Sequence, residues 1–298
     1  MISQSAQPVL RRILLATDLS VRCDRALDRA AIIASEWPAR LAVVHAYEPD
    51  IYALTQELRP VPSWRQEPNL KLAVADRQLR QDLGGLDVPF DLVMEEGAPA
   101  DVILRTAGDR GADLIVTGVA RHEPFGRLIF GSTVDQLIRN ARVPVLVVKS
   151  RAREPYRDIV VATDFSPESA KAVRMAMALF PHAGITLLHC YEPRLHPMAN
   201  AADAADMALS FAENGYKEFV EGNSEAAADF ARLPIFIERG SMDSVLQAYA
   251  ADKPLDLVVF GSQGKNALVR TLVGSTAEAS MVTAPTDVLV VTSASRIS

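Results

Sequence analysis

Ile13-Leu14-Leu15-Ala16-Thr17-Asp18-Leu19-Ser20 and Ile159-Val160-Val161-Ala162-Thr163-Asp164-Phe165-Ser166 are two versions of one stretch, 146 residues apart (Asp18 to Asp164). Each is a short apolar run of strand length closed by Thr-Asp-x-Ser, whose small polar side chains suit a turn and a helix N-cap. Further along, His45-Ala46-Tyr47-Glu48-Pro49 returns as His189-Cys190-Tyr191-Glu192-Pro193, 144 residues on. Asp113 to Gly118 returns as Asp256 to Gly261, and Gly131-Ser132-Thr133 as Gly274-Ser275-Thr276, both 143 residues on. The order is kept and the offset drifts by a few loop residues, so the chain carries one fold twice. The period is far too long for a solenoid. Ser150 to Pro155 is a short polar linker, which divides the chain into residues 1–150 and 151–298.

Within each half, short β-branched runs alternate with longer helical stretches, the pattern of parallel βαβ units. The strands are expected near 10–16, 40–46, 90–95, 113–118 and 143–149, then near 158–163, 184–190, 233–238, 256–261 and 287–292. Ser166 is placed to cap the helix that follows, Pro167 suits its first turn, and Glu168 complements its dipole. Asp203 to Ala231 reads as one or two helices on the sheet, whereas Pro60, Pro62 and Pro68 mark a loop before a shorter helix. The fold class is α/β, with two doubly wound parallel sheets whose ligands bind beyond the carboxyl ends of the strands.

Composition narrows the partners. The net charge of −6 and pI near 5.5 give no basic field for nucleic acid. The cysteines, Cys23 and Cys190, form no paired framework, which fits a reducing compartment, with the cytoplasm as the default. The amino-terminal apolar run is stopped by Asp18, unlike a secretory signal, and no apolar run is long enough for a membrane span.

After its fourth strand the second half reads Gly261-Ser-Gln-Gly264, nine residues, then Gly274-Ser275-Thr276. Glycine lets backbone N–H groups approach phosphate oxygens with no Cβ between, and a helix N-terminus favours anions. Gly261 and Gly264 are expected to make that turn, with Gly274, Ser275 and Thr276 closing on a triphosphate from the other side. No Gly-x4-Gly-Lys-[Ser/Thr] or Gly-x-Gly-x-x-Gly after a strand is present.

This glycine spacing, with Ala-Thr-Asp-x-Ser, His-x-Tyr-Glu-Pro and the Val-Leu-Val-Val last strand, resembles the ATP-binding universal stress proteins twice over, across nearly the whole chain. The resemblance implies a Rossmann-like sheet of order 3-2-1-4-5 in each half, in a tandem repeat with pseudo-twofold packing. It implies ATP, with or without Mg²⁺, with Asp164 facing the adenosine, Ala162 and Thr163 beside it and Cys190 bordering the adenine. It also implies pairing of the last strands, Pro144 to Val148 with Val288 to Val291, and assembly into a homodimer. Thr286-Asp287 looks like a two-residue addition that disturbs their register.

The first half departs from the motif: Gly118-Val-Ala-Arg121, nine residues, Gly131-Ser132-Thr133. An arginine where close backbone approach is needed blocks it or forces a positive φ, although its guanidinium can pair with phosphate. ATP is therefore expected in the second half, while Asp18, Gly118, Arg121, Gly131 and Ser132 make a degenerate site open to another ligand.

Simpler roles stand beside these. Asp18 and Asp164 can satisfy the amides of their own turns. His45 and His189, at matching positions, suit a shared packing or hydrogen-bonding role, and His189, Cys190 and His196 have no recognised metal-ligand spacing. Lys265 and Arg270 serve as phosphate cations or as solvated loop charges. No nucleophile beside a base accompanies the glycines. Three functions remain: a nucleotide-binding regulator with an unknown protein partner, an ATP-using adenylating or phosphoryl-transfer enzyme, and a nucleotide-free scaffold.

Overall fold

A computed structural model describes residues 10–19, 21–47, 70–84, 88–119, 121–122, 128–192, 201–224, 226–262 and 276–295. The first half runs β1 (Arg12–Ala16), α1 (Val21–Glu36), β2 (Arg40–Tyr47), α2 (Leu70–Leu83), β3 (Phe90–Glu96), α3 (Pro99–Arg110) and β4 (Leu114–Gly118). It continues through a two-stranded hairpin, β5 (Arg121–His122) and β6 (Leu128–Ile129), to α4 (Ser132–Asn140) and β7 (Val145–Val148). The second half runs β8 (Asp158–Ala162), α5 (Pro167–Leu179), β9 (Gly184–Tyr191), α6 (Ala201–Gly222), α7 (Ala227–Phe230) and β10 (Ile235–Arg239). It closes with α8 (Met242–Asp252), β11 (Leu257–Ser262), α9 (Thr276–Thr283) and β12 (Asp287–Thr292).

Each half has the expected strand order, β3-β2-β1-β4-β7 and β10-β9-β8-β11-β12, with parallel pairing inside it. The expected pairing of the last strands joins the two sheets into one. β7 and β12 pair antiparallel, Val145 with Val290, Leu146 with Leu289 and Val147 with Val288, which joins them into a ten-stranded sheet. The pairing removes two edges that would otherwise offer unpaired backbone groups, and both last strands are buried.

The seam is symmetric in its backbone. Val145 corresponds to Val288 and Val147 to Val290 at the same 143-residue offset, so the three pairs lie about a local twofold through Leu146 and Leu289. Thr286-Asp287 is therefore no addition that shifts the register: Asp287 occupies the place of Pro144. It is fully buried, with Oδ1 accepting from the amides of Lys149 at 2.8 Å and Ser150 at 2.9 Å. Its Oδ2 accepts from the Tyr156 hydroxyl at 2.7 Å and lies 3.5 Å from Arg29 Nε. Arg29 also lies 3.7 Å over the Tyr156 ring and donates to the Glu154 carbonyl at 2.8 Å. A buried carboxylate is tolerable only with such partners, and here they come from both halves and the linker.

The apolar core is divided by sheet face. On one face Ile33 of α1 and Val173 of α5 pack over Leu15, Leu146, Val161 and Leu289. On the other, Ile103, Leu137, Leu246 and Met281 cover Leu14, Val145, Val160 and Val288. Each cluster contains residues of both halves. Trp37, just past α1, donates its indole N–H to the Leu179 carbonyl at the end of α5, 3.0 Å away.

Candidate functional site

The two Thr-Asp-x turns have the same construction. Leu19 and Phe165 sit at φ 62° and 64°, a left-handed conformation that costs a branched or aromatic residue about 1–2 kcal/mol. The preceding threonine supports each turn: Leu19 N–H donates to Thr17 Oγ1 at 3.1 Å and Phe165 N–H to Thr163 Oγ1 at 3.0 Å. Buried Thr163 also donates to Ser169 Oγ at 3.0 Å, tying the turn to α5, whose Ser166 cap accepts from Ser169 N–H. Asp164 is exposed, and its Oδ1 accepts from Ser166 N–H at 3.0 Å. Asp164 stands just beyond the carboxyl end of β8.

The histidines fill matching structural roles. His45 Nδ1 lies 3.0 Å from the Thr17 carbonyl and His189 Nδ1 2.8 Å from that of Thr163, so each Nδ1–H donates to the turn. Phe165 stacks on the His189 ring at 4.3 Å. Burial holds His189 below its ordinary pKa, against the Thr163 hydrogen bond and the attraction of Asp164. A ring that is neutral and committed to a backbone carbonyl is a poor general acid at neutral pH.

In the first half a cleft of about 130 Å³ opens at the carboxyl ends of β1, β2 and β4. Thr17, Asp18, Ala46, Thr117, Gly118 and Thr133 line it, with the start of α3 and α4 closing the sides. Of the expected residues, Asp18 and Gly118 are at the cleft. Gly131 is the N-cap of α4, with φ −71° and ψ 163°, and Ser132 is its first residue, but Thr133 is the one that reaches the lining. Arg121 is in β5, paired with Ile129, so an extended hairpin replaces the tight turn and no positive φ is forced on it. Sequence reasoning missed Thr117 and Ala46, although Ala46 is the counterpart of Cys190 and was legible as such.

In the second half Ala162 ends β8 and Thr163, Asp164 and Cys190 stand at the same end of the sheet. Cys190 Sγ is 3.8 Å from Met242 Sδ, and burial with nearby Glu238 pushes its thiol up to about 12. Gly261 does not make a turn. It is inside β11, paired with Val291, and a Cβ there would stand 2.6 Å from the Glu168 carbonyl oxygen and 3.0 Å from Ser169 N. Its missing side chain admits the first turn of α5 against the strand, a packing need that the phosphate reading did not supply. Gly264, Gly274, Ser275, Lys265, Arg270, His196 and the three prolines lie outside the described residues. Thr276 is the first residue of α9. Among the described residues no three His, Cys, Asp or Glu side chains gather as a metal site, and no helix is long and apolar enough to cross a membrane.

Comparison with known proteins agrees with this arrangement. A universal stress protein of Thermus aquaticus is 34% identical over 148 residues, 47% of this chain and 100% of its own length. A universal stress protein from Pseudomonas aeruginosa has the same fold at TM-score 0.63 and 18% identity, covering 96% of this chain and 95% of its own. One from Archaeoglobus fulgidus gives TM-score 0.60 at 17% identity, covering 94% and 96%. The model of the universal stress protein family matches residues 10–149 and again 155–292, and the chain belongs to that family in both of its halves.

Proposed function

We propose that the chain is an ATP-binding stress-response regulator, acting through nucleotide occupancy and protein contacts, with its tight site in residues 151–298. The observation that carries this is the pairing of one turn with two motifs. The Thr163-Asp164-Phe165 turn is built like the turn that borders the first-half cleft, and only the second half follows it with the full Gly261, Gly264, Gly274, Ser275 spacing. In this reading Ala162, Thr163, Asp164 and Cys190 hold the adenosine. The backbone around Gly264 and Gly274, with Ser275 and Thr276, takes the phosphates. Asp18, Gly118, Arg121, Gly131 and Ser132 surround an altered site for a different ligand.

Regulation is favoured over catalysis because His189 is engaged by the backbone and the Cys190 thiol is far from forming a thiolate. A homodimer, an unidentified regulatory partner and a cytoplasmic setting complete the proposal. Metal-dependent ATP turnover well above background would support the enzyme reading instead, and a chain that binds no nucleotide would support the scaffold.

Calorimetric titration of the full-length chain tests the site. One ATP per chain is expected, Gly264→Arg should weaken it at least about a hundredfold, and Arg121→Gly should add weak binding in the first half. Two or three charge-assisted hydrogen bonds at roughly 1.5–3 kcal/mol each are at stake. A folded Gly264→Arg chain that binds ATP within about threefold of the parent would refute the phosphate role.

A further inference from the structure

The last strand of each half ends against the last helix of the other. Lys149 follows β7, is buried, and donates from Nζ to the carbonyls of Met281 at 2.8 Å, Val282 at 3.0 Å and Ala284 at 2.9 Å. An ammonium has three N–H donors and no acceptor, so all three are used, on carbonyls that the end of α9 leaves unpaired. They also lie at the negative pole of that helix. Thr292 takes the matching position at the end of β12, again 143 residues on, and its Oγ1 donates to the Ala141 carbonyl just past α4 at 3.1 Å.

The opposite end of α4 faces the first-half cleft, and in the ATP reading that of α9 faces the phosphates. α4 carries Thr133 and Val134 into the first-half cleft, and α9 opens at Thr276. Helices this short, roughly 12–14 Å long, shift as rods, so a grip on one end fixes the other.

From this reciprocal arrangement we infer that Lys149 and Thr292 are positioning residues, each belonging to one half and setting the ligand-facing helix of the other. The consequence for binding rests on the ATP reading above, whereas the placement of the helices rests on the seam alone.

Burial lowers Lys149 to about 8, against the attraction of Asp287. The other charged or titratable groups around it are Arg25, whose Nη1 donates to the Lys149 carbonyl at 2.7 Å, and Arg29 and Tyr156, both engaged with Asp287. An anion at the N-terminus of α9 adds to the field along the helix and favours the charged ammonium at its far end. Binding and protonation then reinforce each other, and ATP affinity falls as pH rises through about 8.

The test uses the full-length chain. Lys149→Met is expected to weaken ATP about tenfold and to flatten the fall in affinity between roughly pH 7 and pH 9. A folded Lys149→Met chain with parental affinity and pH profile overturns the inference. Amide exchange supplies a readout independent of ligand: Lys149→Met should speed exchange in residues 276–283 and spare 132–140, and Thr292→Val should do the reverse. If the parent binds no ATP, the functional reading fails by itself and exchange decides this one. If Lys149→Met does not fold, the Thr292→Val arm decides. Equal changes in both helices, or none, refute it.

Discussion

The two halves share a turn and differ in what surrounds it. Around the first-half cleft stand Ala46, Pro99 and Thr117, and their second-half counterparts are Cys190, Met242 and Phe260. The second half thus presents larger, more polarizable and more apolar side chains where the first has small or polar ones, while the first half has lost the second glycine to Arg121. Duplication kept the scaffold, including the left-handed Leu19 and Phe165, and let the lining diverge. Conformational cost is retained where both copies need the turn, and chemistry varies where only one needs a given ligand. The seam teaches the same lesson: its backbone pairs are twofold, but the counterpart of Asp287 is Pro144 and that of Lys149 is Thr292.

The sharpest way to break the comparison is at Asp287. Asp287→Ala leaves the Tyr156 hydroxyl and two amides without their shared acceptor and Arg29 without its ion-pair partner, and should cost about 3–5 kcal/mol in urea unfolding. Pro144→Ala, at the matching position, should cost less than about 1 kcal/mol. Similar losses at both would mean that the carboxylate does not hold the seam.

Gly261→Ala probes packing against chemistry. Its new Cβ would meet the Glu168 backbone, so a loss of about 1–3 kcal/mol in stability is expected, with ATP binding changed little once the chain is folded. Intact stability with lost binding would return Gly261 to the phosphate site.

A smaller effect separates the two strand ends by pH. Lys149 is at about 8 folded and near 10.5 unfolded, so between those values the unfolded chain binds more protons. Stability from this residue is therefore flat below about pH 8 and rises with pH above it, by at most about 1.4 kcal/mol per unit. Unfolding curves of the parent and Lys149→Met at several alkaline pH values should diverge in that direction, and Thr292→Val should leave the rise intact. A difference that shrinks with pH would show that Lys149 is held more firmly charged than its burial implies.

The strand order followed from the family resemblance, and the sequence by itself determined the duplication, the alternation of strands and helices and the capped start of α5. These rest on local signals: apolar run length, period, and side chains that hydrogen-bond within a few residues, as Ser166 does with Ser169. The expected strand limits differ from the observed ones by at most two residues, for instance 10–16 against Arg12–Ala16. Asp18, Gly118, Asp164 and the paired histidines were legible because the repeat marks them twice. What only the tertiary structure decided involves partners far apart in the sequence. Gly261 is required by the α5 backbone, which no glycine spacing reveals. Asp287 resembled an insertion because its partners Arg29, Lys149, Ser150 and Tyr156 lie in other segments. Each of the two cores spans both halves on one face of a single sheet, because burying both last strands against each other satisfies edges that neither half can satisfy alone.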